Sequence, residues 1–243
     1  MIKVVKKHIS RAINRLGFDL SRFDRRSSSG LRFLQLMRDY QIDTVFDIGA
    51  NVGQYAKLVR NYGFKGRIIS FEPLSEAHEK LSKNSRKDHE WIVAPRMALG
   101  SKDGTSRINI SANYSSSSIL NMLDVHVDGA PESVYVNSEE VRIAKLDTIN
   151  SDYIGKGNNI FLKIDVQGFE YQVLEGAKKT LLSVQGMEIE LSLTPLYNGQ
   201  MLFHDMLEYI SLLGFELIDI LPEFRHQKTG RLLQVNGLFF RPA

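Results

Sequence analysis

Three apolar runs in this chain end on acidic residues, and those acids set the available chemistry. The first is Thr44-Val45-Phe46-Asp47-Ile48-Gly49-Ala50-Asn51-Val52-Gly53-Gln54. It reads as a strand entering an Asp-x-Gly-x-x-x-Gly turn, with a helix starting near Val52. Small residues at such a turn let backbone N–H groups and a helix N-terminus approach a ligand closely. The dinucleotide pattern G-x-G-x-x-G is not met, since only Gly49 and Gly53 are present. A pyrophosphate favours positive dipoles with no anion beside them. Asp47 therefore disfavours phosphate and favours a nucleoside carrying an ammonium or sulfonium centre.

The second run, Arg67-Ile68-Ile69-Ser70-Phe71-Glu72-Pro73, places an acid where this kind of sheet accepts hydrogen bonds from ribose hydroxyls. Pro73 stops the strand. In the third, Phe161-Leu162-Lys163-Ile164-Asp165, the acid falls at the strand tip and Lys163 points to the same side two residues earlier. A lysine inside a buried strand needs a partner. If this strand lies beside the first, Asp47, Lys163, Asp165 and Glu190 form a charge cluster beneath the ligand. An ion-pair network with no catalytic part is the alternative. Asp165 is the first candidate for a general base, oriented by Lys163 and Glu190; His126 and His204 are the other candidates.

Positioning these acids requires strands and helices in alternation. A helix over 31–40 leads into the first strand, and a second strand spans 67–71. A helix over 75–84, with Ser75 as its N-cap, then leads through Trp91–Ala94 toward a third strand at 97–99. Ser106–Ile110 and Val141–Leu146 alternate like pairing edge strands. A buried strand over 159–165 precedes a helix over 168–182, a strand over 187–193 and a helix over 203–213. Phe215–Leu221 and Leu233–Phe240 can close the sheet as an antiparallel pair. This order implies a mostly parallel sheet with helices on both faces. Residues 111–140 form a long polar stretch with four consecutive serines, Ser115 to Ser118, readable either as a lid over the strand ends or as a disordered insert.

At 243 residues, 43% of them apolar, the chain suits one α/β domain with decorations. The absence of cysteine excludes disulfides, a thiolate nucleophile and a Cys-ligated metal. No apolar run approaches the roughly 18 residues needed to cross a bilayer, and no secretory signal is recognisable. The expectation is a cytoplasmic protein. Its net charge of +3 divides into +7 over residues 1–32 and −4 over the rest. Ile2, Val5, Ile9, Ala12, Ile13 and Leu16 recur at helical spacing, so residues 1–26 read as a basic amphipathic helix, followed by a hinge at Ser27-Ser28-Ser29-Gly30. That helix suits peripheral contact with the inner face of an anionic membrane, docking on its own domain, or a homo-oligomer interface. The acidic body argues against a nucleic-acid groove.

Taken together, Phe46–Gly53, Phe71-Glu72-Pro73, Ala98-Leu99-Gly100, Lys163–Glu170 and the ending Gln234–Phe240 resemble the FkbM-type methyltransferases over about residues 42–241. The resemblance implies an S-adenosylmethionine-dependent O-methyltransferase with a Rossmann-like, seven-stranded sheet and a C-terminal antiparallel hairpin. It places Asp47, Gly49, Ala50, Asn51 and Gly53 around the methionine portion of the cofactor, Glu72 with Pro73 at the ribose, and Ala98 beside the adenine, with Asp165 at the same site. It also sets the serines near the site. Gln167 and Asn236 stand where a carboxylate is frequent in relatives, which argues against a role for charge or metal support at those two positions; no residue is assigned as a metal ligand, and carboxylates near a hydroxyl leave Mg²⁺ dependence open. No Asn- or Asp-Pro-Pro-aromatic motif follows the 159–165 strand, which favours hydroxyl over amino acceptors. A small-molecule or glycan hydroxyl is expected, most of all a sugar in a surface glycan or its precursor. The alternatives are a polyketide-like hydroxyl, a nicotinamide oxidoreductase on the same sheet, and an inactive membrane-peripheral module that binds the cofactor.

Overall fold

β1 (Thr44–Ile48) is buried at all five positions, as a strand flanked on both sides and covered on both faces must be. It lies parallel to β2 (Arg67–Phe71) on one side and to β7 (Ile160–Ile164) on the other. The computed structural model describes residues 28–155 and 158–242. The chain divides into two compact units, Met1–Asp39 and Tyr40–Ala243. Of the first, helix α1 (Ser29–Asp39) is described. The amphipathic helix read over 1–26 lies outside the described residues.

In the second unit, β3 (Trp91–Val93), β8 (Val184–Ser192), β9 (Glu216–Pro222) and β10 (Gln234–Phe240) complete a seven-stranded sheet of order β3-β2-β1-β7-β8-β10-β9. All pairings are parallel except those of β10, which runs antiparallel to both β8 and β9. This is the expected Rossmann-like sheet with its closing hairpin. Strand order reverses between β1 and β7, which opens a crevice at their C-terminal ends. The main core includes Phe46, Ile48, Leu162, Ile164, Met187 and Ile189 from alternate strand positions. Helices α2 (Gln54–Tyr62) and α3 (Ser75–Ser85) connect the first strands. Ser75 does not cap α3; its backbone N–H instead donates to Glu139 Oε1 at 2.8 Å.

Two elements differ from the sequence reading. Trp91–Val93 is itself the edge strand, whereas β4 (Ala98–Leu99) leaves the main sheet. It joins β5 (Gly104–Ser111) and β6 (Tyr135–Ala144) in a second sheet of order β4-β6-β5. β5 and β6 pair antiparallel as expected, but the register sets 106–110 against 137–141, so that only Ser106↔Val141 matches the pairing expected with 141–146, and β6 starts earlier, within the polar stretch. That stretch also holds helix α4 (Asp124–Gly129). The helix expected over 168–182 is α6 (Glu170–Glu175), which follows the short α5 (Leu146–Ile149). α6 stops at Glu175, and a separate 3-10 turn follows at Thr180–Ser183, where Asp147 Oδ1 accepts the Thr180 N–H and hydroxyl, both at 2.8 Å. α7 (Phe203–Leu212) precedes β9. No helix among the described residues is long and apolar enough to cross a membrane.

Candidate active site

The turn after β1 is shaped by two close approaches. Gly49 has φ +82°, and a Cβ there would lie 1.8 Å from the Asp165 carbonyl oxygen, so β7 can end against this turn only if residue 49 is glycine. The Gly49 and Ala50 N–H groups donate to the Phe71 carbonyl, each at 3.0 Å. Gly53, at φ +89°, faces away from the crevice: its Cβ would meet the Trp91 ring at 2.5 Å. It lines neither cavity described below, so its expected place beside a cofactor is not what the geometry gives. Its role is to seat α2 on β3.

Asp47 is 1% exposed and accepts the Ser70 hydroxyl at 3.0 Å; Ser70 Oγ in turn accepts the Trp91 indole N–H at 2.9 Å. Burial pushes its carboxyl up to about 6, against the opposing pull of Ser70 and Lys163. Glu72 is 4% exposed. Its oxygens accept the backbone N–H groups of Asn51 and Leu74, each at 2.7 Å, and burial pushes its carboxyl up to about 7 in spite of those bonds. Each oxygen keeps a lone pair for a further donor.

Strand register sets Asp47, Lys163 and Glu188 in one row across β1, β7 and β8, so the three side chains leave the same face. Lys163 Nζ donates to Asp165 Oδ2 at 3.2 Å and lies 5.6 Å from the Tyr55 ring centroid. Burial pulls the lysine down, but Asp165, Glu188 and Glu190 together hold it above its ordinary value. Glu188 accepts the Tyr55 hydroxyl at 3.2 Å. Four residues were expected to cluster: Asp47, Lys163 and Asp165 line one chamber, and Glu190 is tied to Asp165 through the Gln167 amide. Glu190 stands behind them and lines neither cavity; it accepts the side-chain amides of Gln167 at 2.9 Å and Gln234 at 2.8 Å. Glu188 joins the cluster inside the chamber, beside Lys163.

Gln167 joins these acids. Its backbone is left-handed, at φ +56°. Its amide donates to both Asp165 Oδ1, at 2.8 Å, and Glu190, while Oε1 accepts the Tyr197 hydroxyl at 2.7 Å. Its carbonyl accepts the Ser118 hydroxyl at 2.6 Å. Glu170 Oε1 holds the same turn by accepting the N–H groups of Val166 and Gly168, both at 3.1 Å. Asp165 is thus fixed through both oxygens, one by Lys163 and one by Gln167.

Two cavities open here. An apolar cleft is lined by Glu72, Pro73, Ala98, Ile108 and Phe169 among others, and closed from above by Tyr114, Ser117 and Ile119 of the polar stretch. A polar chamber is lined by Asp47, Ala50, Tyr55, Lys163, Glu188, Glu223 and their neighbours. Gly49, Asn51, Ser115 and Asp165 line both. Of the sequence candidates, Gly49, Asn51, Glu72, Pro73, Ala98 and Asp165 border the cleft, and Asp47, Ala50 and Lys163 border the chamber. Tyr55 and Glu223 were not anticipated; Tyr55 could have been found as the first aromatic after the glycine turn, whereas nothing local marks Glu223. His126 packs between Tyr197 and Phe224 with ring centroids 5.1 Å from each, and burial drives it down to about 4. His204 is exposed on α7. Neither histidine lines either cavity. Among the described residues no group of three or more His, Cys, Asp or Glu is arranged to hold a metal.

Comparison with known proteins adds to this geometry. The model of the Methyltransferase FkbM domain family matches residues 47–217. A curated relative, the hexuronic acid methyltransferase AglP of Haloferax volcanii, is 26% identical over 149 residues, covering 61% of this chain and 56% of AglP. The chain thus matches little more than half the length of that relative. Among solved structures, the methyltransferase FkbM of Methylobacillus flagellatus KT is 14% identical with a TM-score of 0.46, covering 81% of this chain and 43% of that one. The 1,6-didemethyltoxoflavin-N1-methyltransferase of Burkholderia thailandensis, solved with 1,6-didemethyltoxoflavin and S-adenosylhomocysteine, is 9% identical with a TM-score of 0.47. It covers 89% of this chain and 80% of its own.

Proposed function

This chain belongs to the FkbM methyltransferase family, and on that footing we propose that it moves a methyl group from S-adenosylmethionine to a hydroxyl of a sugar in a surface glycan or its precursor. The observation that carries this reading is the junction of two unlike compartments at Asp165: an apolar cleft suited to a flat base, and a polar chamber suited to a hydroxylated acceptor. The residues present fit the cofactor. Glu72 offers free lone pairs to ribose hydroxyls, Ala98 and Phe169 offer apolar surface to a base, and Asp47 makes the turn hospitable to positive charge and hostile to a diphosphate.

When bound, the cofactor supplies an electrophilic methyl group on a sulfonium. The chain's own residues do the rest by holding and deprotonating the acceptor. Asp165, gripped by Lys163 and Gln167, accepts the hydroxyl proton as the new C–O bond forms. Lys163 aims that carboxylate through its 3.2 Å bond to Oδ2. Tyr114, Ser115 and Ser117 cover the cleft and limit the entry of water. The glycan acceptor is supported by the hexuronic acid named for AglP. We place the activity on the cytoplasmic side of the membrane, with residues 1–26 reaching an anionic surface; vesicle sedimentation with and without residues 1–30 checks that part.

The direct test of the reaction is incubation of the purified protein with methyl-labelled S-adenosylmethionine and a glycan fraction, followed by mass spectrometry. A saccharide gaining the mass of one methyl group, on oxygen, is the expected product. Label confined to amino nitrogen, or a cofactor that is never consumed, defeats the proposal.

A further inference from the structure

The roof of the apolar cleft is one compact knuckle. Asn113 Oδ1 accepts the Ser116 N–H at 3.0 Å and the Ser111 hydroxyl at 2.8 Å, and Ser117 Oγ accepts the Ser111 N–H at 2.9 Å. Its far end is pinned to the turn after β7, where the Ser118 hydroxyl donates to the Gln167 carbonyl at 2.6 Å. Its near end brings Tyr114 into the lining. Beneath this roof the cleft encloses a cavity of about 60 Å³, against roughly 300–1,000 Å³ for sites that take up small ligands. A nucleoside therefore enters only if the roof lifts.

What holds the roof down lies outside the cleft. The Tyr114 hydroxyl donates to Glu76 Oε2, and Lys80 Nζ donates to Glu76 Oε1 at 2.5 Å. The same Nζ lies 5.6 Å from the Tyr114 ring centroid, so each of the three groups meets the other two. Glu76 and Lys80 sit one turn apart on α3 and line neither the cleft nor the chamber. Each contact is weak on an exposed surface, so the triangle can break and re-form during turnover. The backbone of Tyr114 points to the same residue. It is held at φ +60°, a left-handed conformation that a bulky side chain rarely adopts and that persists only where surrounding contacts enforce it. Glu76 and Lys80 supply such contacts.

We propose that Tyr114, Glu76 and Lys80 form a latch that gates exchange of the cofactor. Opening swings the knuckle about Ser118, admits S-adenosylmethionine and lets S-adenosylhomocysteine leave; closure sets Tyr114 against the nucleoside. The proposal rests on the methyl-transfer reading and adds the control of its cofactor exchange. Entry and exit both pass through the lifted roof, so a latch slows them by the same factor. Affinity then stays constant while both rates change. An ordinary wall contact behaves otherwise: its loss speeds release, leaves entry alone and weakens affinity.

Surface plasmon resonance on the full chain, with S-adenosylhomocysteine as the analyte, reads both rates. Tyr114→Phe keeps the ring and deletes the hydroxyl, whereas Glu76→Ala removes its acceptor from a position outside both cavities. Each variant is expected to raise the association and dissociation rates about tenfold, with Kd within about threefold of the native value. The double variant should be no faster than either alone, because both changes break one latch. Glu76 is an exposed helix residue, so its variant reports on the latch even where Tyr114→Phe fails to fold. Native rates in Glu76→Ala, or faster release with native association, overturns the assignment. If S-adenosylhomocysteine does not bind the native protein at all, the fault lies with the methyl-transfer reading, and the latch falls with it.

Discussion

Buried carboxylates in β1, just after β2 and at the start of α6 give the site a pH signature. Burial raises Asp47 to about 6 and Glu72 and Glu170 to about 7. In the unfolded chain such acids ionise near 4. Between about pH 4 and pH 7 the native state therefore holds protons that the unfolded state has released, and ligand-free stability falls as pH rises through that window. Glu72→Gln removes one of these groups, so its melting temperature is expected to decline less between pH 5 and pH 8 than that of the native protein. Binding works in the opposite direction. Ribose hydroxyls prefer the carboxylate of Glu72, so affinity for S-adenosylhomocysteine should increase from pH 6 to pH 8 with release of protons, visible as a buffer-dependent heat in calorimetry. Glu72→Ala should weaken that binding about ten- to a hundredfold. Gln167 makes a complementary case. Its amide separates Asp165 from Glu190 by donating to both, and Gln167→Glu would place a third carboxylate between them. The expected loss is about 5 °C in melting temperature, together with most of the turnover; an unchanged melting curve would show that the amide bridges are unimportant. The sequence exposed Gln167 only as a departure from relatives. Its bridging role depends on Glu190, which is 23 residues away.

The turns and strands that carry these residues were legible where a short pattern decides the backbone. β1, β2, β7, β8 and the final hairpin were readable because each is a nearly continuous apolar run with an acid or a turn at its end. The second sheet was harder. The first six residues of β6 are exposed or half-buried without a repeating alternation, so Tyr135–Glu140 reads as polar loop. β4 is two residues long, too short for any periodicity to assign it to one sheet or the other. The same limit hid the way Tyr114 closes the cleft: its hydroxyl bonds Glu76 and its ring lies beneath Lys80, both on α3. Gly53 is the element-scale test. Because φ is +89° and a Cβ would overlap the Trp91 ring, Gly53→Ala should cost about 2–4 kcal/mol in denaturant melts. Cofactor affinity should then fall only in proportion to the unfolded fraction, since residue 53 faces Trp91 and not the crevice. A selective loss of affinity in a fully folded variant would return Gly53 to the cofactor site.

Across the whole molecule, one sheet reversal organises the function. The crevice between β1 and β7 receives Gly49 and Asp165 from its two rims, the second sheet roofs one compartment, and β8 with β10 walls the other. The proposed S-adenosylmethionine site leans on this arrangement more directly than the proposed acceptor does. It also differs in kind from a dinucleotide site, which would be spoiled by Asp47 and by the wide glycine spacing. Titration of the purified protein with S-adenosylhomocysteine, and in parallel with NAD, addresses that distinction in one calorimetric experiment. Saturable one-to-one heat with S-adenosylhomocysteine, lost in Glu72→Ala and absent with NAD, is the expected result. Heat with NAD alone, or with neither compound, would contradict it.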